Sequence, residues 1–193
     1  MKHAIWISAL ACAFVVIGVP KFAVAQRAKP AVPEYGSILA ETLKDWSDLK
    51  ESLLKLGDFM PADKYDFILP FPAENLAVNP VQESFGRRVL RIAQVNVVFL
   101  AFLGGKATPP PEPSDNMTSK EASTKAVKDS FDYGTAVLKE QTDQSMLQVV
   151  NASFLGRTTR ARVVSYLIGH AREVDGQMVL YLRMAGIGLP VSQ

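Results

Sequence analysis

Apolar residues recur at three- and four-residue steps in four long stretches of the chain. Ile38, Leu39, Leu43, Trp46, Leu49, Leu53, Leu54 and Leu56 form one such stripe, which predicts a first helix from about Ser37 to Phe59. Met60-Pro61 ends it, because proline disfavours helical geometry in the residue before it. A second helix is predicted from about Glu83 to Leu103, with Ser84 as its N-cap and Val89, Ile92, Ala93, Val97 and Leu100 as its core face. Gly104-Gly105 closes it. Thr118 or Ser119 opens a third helix that runs to about Gln141, with Ala122, Ala126, Phe131, Tyr133, Ala136 and Val137 turned inward. The fourth predicted helix spans about Thr159 to Ala185 and stops at Gly186, with Pro190 beyond.

The segments between these helices carry a different pattern. Residues 61–82 contain Pro61, Pro70, Pro72 and Pro80, so a long ordered loop or cap is expected there. Its aromatics, Tyr65, Phe67 and Phe71, are placed to pack on one end of a bundle. Residues 106–118, with Pro-Pro-Pro-Glu-Pro-Ser-Asp-Asn at their centre, predict an exposed linker. Residues 143–157 predict a loop with one or two short turns. Strand-like alternation is almost absent and no internal repeat occurs. The fold class expected is all-α, a four-helix bundle, over residues 37–193.

The N-terminus changes the bookkeeping. Lys2 and His3 precede an apolar run from Ile5 to Val19, and Ala23-Val24-Ala25 gives the small-x-small pattern of a secretory cleavage site. The run is shorter than the roughly 20 residues that span a bilayer, so a removed signal peptide (1–25) is expected rather than a stable membrane anchor. Lipidation at Cys12 fits less well, because Ala9-Leu10-Ala11 is a poor lipidation box. The mature chain would begin at Gln26 with a Pro-punctuated tether (26–36) and act in a periplasm or outside the cell. Cleavage removes Lys2 and Lys21 and no acid, which leaves basic and acidic residues balanced at 19 each. No basic face remains that would suit nucleic acid. The only cysteine also leaves, so disulfide, thiol nucleophile and thiolate metal chemistry are excluded for the mature chain.

Several stretches carry a family resemblance together. They are Met60-Pro61-Ala62-Asp63-Lys64-Tyr65-Asp66-Phe67, Ser84-Phe85-Gly86, Thr124-Lys125 through Phe131-Asp132-Tyr133, and His170-Ala171-Arg172-Glu173-Val174-Asp175-Gly176-Gln177 running into Tyr181-Leu182-Arg183 and Gly186. In this order they resemble the DinB-like superfamily. The resemblance implies a four-helix bundle with up-down-down-up connectivity and one divalent metal held between three histidines. It implies metal-dependent thiol transferase, isomerase or hydrolase activity, although many members have no known activity. Two of the histidines sit one helical turn apart just before an x-Gly-Gln, and the third lies on an earlier helix. Those positions here are His170, Val174 and Arg91.

A zinc or nickel site of this kind needs about three protein ligands and an open position. The mature chain has one histidine, His170, so a three-histidine site cannot form within one subunit. Glu173, three residues on, can share a helix face with His170, whereas Asp175 points elsewhere. Such a pair still lacks a ligand from another helix. Arg91 near His170 would repel a cation and leave room for an anion, with Tyr181 as a further contact. Alternatively Arg91 closes a structural salt bridge, with Glu173 or Asp48 as partner, or snorkels to the bundle end. The reading that follows is an exported bundle with a degenerate metal site and a binding or accessory role, to which a small anion would be the partner and for which no cofactor is expected. Two alternatives stay open. One is a metal-dependent transferase or hydrolase with altered ligands, holding zinc or nickel through His170. The other is a structural or interaction module, in the form of a homodimer.

Overall fold

The computed structural model describes residues 36–70 and 83–189. Four long helices account for most of them: α1 (Ile38–Phe59), α2 (Phe85–Leu100), α3 (Lys120–Lys139) and α5 (Arg160–Met184). The expected signal peptide and most of the tether lie outside the described residues, as does Phe71. Each helix starts where its sequence supplies an oxygen for the free N–H groups of the first turn. Ser37 accepts from the N–H of Ala40, Ser84 from Arg87, Ser119 from Ala122 and Thr159 from Arg162. The last helix ends in a Schellman turn. Gly186 sits at φ +77°, its N–H bonds the carbonyl of Arg183, and the N–H of Ile187 reaches that of Leu182.

The core is a layer shared by these four helices. α1 packs against α3 and α5, and α2 packs against the same two. Trp46 sits at the centre of the α1–α3 contact. Its ring lies 4.4 Å from that of Phe131, and its indole N–H donates to the Phe131 carbonyl at 3.0 Å. That bond satisfies the one polar atom of a fully buried indole. Gly134 lets the ring approach, since a Cβ there would collide with it. At the other end of the bundle Tyr65 and Phe67 pack as the loop pattern suggested, Tyr65 against Phe85 and Phe67 against Tyr181. The loop also caps α2: the carbonyls of Phe67 and Tyr65 accept from the N–H groups of Phe85 and Gly86.

Three expectations need correction. Residues 143–157 hold more structure than a loop with turns. A short helix α4 (Asp143–Met146) leads into an antiparallel hairpin of β1 (Val149–Ala152) and β2 (Gly156–Thr159). Four-residue strands are too short to display the alternation that identifies strands in a sequence. Ile38 was placed on the core stripe but is 77% exposed, because α1 begins there, before its partners rise beside it. On α3, Ala136 is exposed and Ala122 only half-buried. Val127, Leu138 and the small polar residues Ser123 and Ser130 are buried on that helix too. Asn96 on α2 reaches across to Ser130, donating through its amide at 3.2 Å.

Candidate functional site

Of the residues singled out in the sequence, Arg91 of α2 and Tyr181 of α5 meet at the end where α2 begins, through Glu83. Glu83, the residue before the N-cap of α2, organises this place, and the sequence pattern did not pick it out. Its carboxylate is almost wholly buried. Arg91 donates to one of its oxygens, and Nε of Arg88 lies 3.3 Å from the other. Arg88 and Arg91 are three residues apart on α2 and so face the same way. The main chain of Glu83 is held from the other side: the hydroxyl of Tyr181, on α5, donates to its carbonyl. One residue thus ties two helices together. The signal that could have found it is an acid just ahead of a helix with arginines five and eight residues on.

The other candidates separate. Arg91 is paired with Glu83, neither with Glu173 nor with Asp48. Asp48 pairs with Lys44, one turn away on α1. Glu173 is exposed and accepts from the side-chain amide of Gln177 at 3.1 Å. Asp175 does point elsewhere, accepting from Ser52 of α1 at 2.7 Å. Tyr181 is buried with its hydroxyl committed to Glu83, and burial pushes its phenol pKa up. Val174 is buried in the core, one turn beyond His170.

His170 stands at the edge of this group. Its ring is parallel to that of Tyr166, at a centroid distance of 6.3 Å. Its Nε2 is buried and has no hydrogen-bond partner among the described residues. Burial holds its pKa below the ordinary value of 6.5, against the pull of Glu173 and with the help of Arg91 and Arg88. The imidazole is therefore neutral at pH 7.

These residues do not fit a family-type metal centre. The three residues that the resemblance pointed to, Arg91, His170 and Val174, are a guanidinium, an imidazole and an isopropyl group, and only one of these donates a lone pair to a metal. The nearest buried carboxylate, Glu83, already serves two arginines, whose charge opposes a cation. Among the described residues no group of three histidine, cysteine, aspartate or glutamate side chains is placed to hold a metal ion.

Fold and site together define a mostly helical protein, with a small two-stranded hairpin and a clasp of ion pairs at the start of α2. Solved structures share this architecture. A DinB-like protein from Bacillus cereus ATCC 10987 superposes with a TM-score of 0.63 at 21% identity, over 80% of this chain and 97% of that one. A DinB-like protein from Bacillus subtilis gives a TM-score of 0.56 at 14% identity, over 79% of this chain and 98% of that one. The fold is the DinB-like fold. No protein-family model matches the sequence, and no curated protein does.

Proposed function

We propose that this chain is an exported member of the DinB-like superfamily whose metal centre has been replaced, and which acts without catalysis as a small-anion-binding or accessory protein. One observation carries the reading. Arg91, at the position the family resemblance assigns to the second-helix ligand, pairs with the buried carboxylate of Glu83. Arg88 and Arg91 share one carboxylate, so the clasp keeps an excess positive charge for an anion to meet. The up-down-down-up connectivity belongs to the same proposal. Contacts of Trp46 with Phe131, Asn96 with Ser130, Tyr181 with Glu83 and Ser52 with Asp175 support it.

Metal content tests this reading. Protein comprising residues 26–193 is incubated with zinc, nickel and manganese beside its His170→Ala variant. Both are expected to remain metal-free. Near-stoichiometric metal that disappears in the variant would move the protein to the altered-ligand enzymes. Export is tested by mass spectrometry of the protein recovered from the expressing cell, which should begin at Gln26.

A further inference from the structure

Acidic residues are unevenly placed along this chain. Between Glu83 and Glu112 the sequence holds Arg87, Arg88, Arg91 and Lys106 and no acid. Between Asp143 and Glu173 it holds Arg157, Arg160, Arg162 and Arg172 and no acid. These two stretches supply α2, the hairpin and the first half of α5, which pack on one another. Acids concentrate instead on α1 and α3, from Glu41 to Asp58 and from Glu121 to Asp132. Four of the arginines reach acids at the margins: Arg87 meets Asp115, Arg88 and Arg91 meet Glu83, and Arg172 meets Asp45. Arg157 and Arg162 are exposed and, among the described residues, make no such pair.

Exposed apolar side chains share this acid-free region. Phe154, in the hairpin turn, is 70% exposed, and Leu147, Val149 and Val98 are exposed as well. Phe154 is nonetheless held. Its ring rests on Phe99 and Tyr166, at 5.4 and 5.3 Å, so one side is packed and the other meets solvent. The turn that presents it keeps Ser153 at φ +40°, a conformation that side chains rarely adopt. Arg157 pairs with Asn151 on the outward face of the hairpin, while the neighbouring Ala152 is buried. Arg162 precedes Tyr166 by one turn of α5 and so shares the side on which Phe154 rests. The acids just ahead of the hairpin are engaged: Glu140 accepts from the N–H of Lys106 and Asp143 from that of Leu39.

We propose that this face docks on the surface of an anionic lipid bilayer. Phe154 and its aliphatic neighbours would enter the boundary between headgroups and acyl chains, and Arg157 and Arg162 would meet the lipid phosphates. Charge selects this occupant over a second copy of the chain. A twofold contact through the face would set arginines against arginines with no carboxylate to answer them. The proposal stands apart from the small-anion reading and uses neither Arg91 nor His170.

Co-sedimentation tests it, with the protein recovered from the expressing cell, vesicles of phosphatidylcholine alone, and vesicles of phosphatidylcholine mixed with phosphatidylglycerol. Melting curves show that each variant is folded. The protein is expected on the mixed vesicles and not on the neutral ones, and should leave them as salt rises. Phe154→Ser should weaken binding about tenfold, the loss that follows from withdrawing one large apolar side chain from lipid. Arg157→Gln and Arg162→Gln should each weaken it about fivefold. Ile38→Ser, which removes an exposed apolar side chain of α1 instead, should change nothing. Equal binding to both kinds of vesicle, binding that none of the three face variants alters, or no binding overturns the proposal. So does a dimer in lipid-free solution that Phe154→Ser dissociates, which would assign the face to a second copy.

Discussion

Replacing Glu83 with glutamine keeps the side-chain volume and removes the charge that Arg88 and Arg91 share. The charge-assisted hydrogen bond from Arg91 contributes about 1.5–3 kcal/mol, less because Arg91 is half exposed, and Arg88 adds an ion pair at 3.3 Å. Glu83→Gln should therefore lower stability by about 2 kcal/mol in urea unfolding, and the loss should shrink in high salt. A second variant tests whether the family positions converge in this chain. R91H combined with V174H surrounds His170 with the two missing imidazoles. It should bind zinc near stoichiometry and melt at a higher temperature with zinc than without. Failure to bind zinc in a folded variant would mean that the three positions do not face one point. At this scale the sequence was legible where one residue type settles the chemistry: with only two histidines, His3 and His170, a three-histidine site cannot form within one chain. On Glu83 it offered only the spacing of an acid to arginines five and eight residues on, which by itself does not say that the acid is buried. The choice of partner for Arg91 depends on how far the loop brings Glu83 back over α2, which residue spacing does not encode.

At the scale of elements, close approach and charge decide how the helices sit. Gly86 and Gly134 are the points where α2 meets the segment before α3 and where α3 meets α1. A Cβ at Gly86 would run into the carbonyl of Thr118, and one at Gly134 into the Trp46 ring. Gly134→Ala should cost about 1–3 kcal/mol through overpacking. Gly176→Ala on the open face of α5, where a Cβ meets nothing, should instead stabilise slightly through helix propensity. Chemical denaturation of the two variants side by side separates them. The α1–α3 contact also carries charge. Asp132 accepts from Lys128 on its own helix and from Lys50 of α1, and these bonds hold its pKa below the ordinary 3.8. A depressed carboxylate contributes stability above its unfolded pKa, and that contribution is lost as pH falls through 3.8 toward the folded value. Asp132→Asn should thus be less stable than the parent at neutral pH and converge with it below that window. Urea midpoints measured across the acid range check this. The four long helices were readable because periodicity, cap and stop residues agree for each. The hairpin was not. Its strands owe their pairing to the turn at Ser153–Gly156 and to packing of Val150 and Ala152 on the bundle, both of them tertiary facts.

For the whole molecule, the described residues contain no cysteine, and so the bundle relies on its core and its ion pairs. Among the described residues no helix is long and apolar enough to cross a membrane. The pairing of the helices has a further consequence. Neighbours in sequence are not neighbours in space for α1 and α2, nor for α3 and α5. Neither half of the chain can bury its own apolar stripe by folding back as a hairpin. The first half waits for α3, which packs on both α1 and α2, and α5 then completes the layer from its other side. Order therefore comes late and together. The chain must close long loops before any contact rewards it, which slows folding relative to a simple up-and-down bundle. For a protein proposed to cross a membrane unfolded, that delay is an advantage: the topology that slows folding also keeps the chain open for transport.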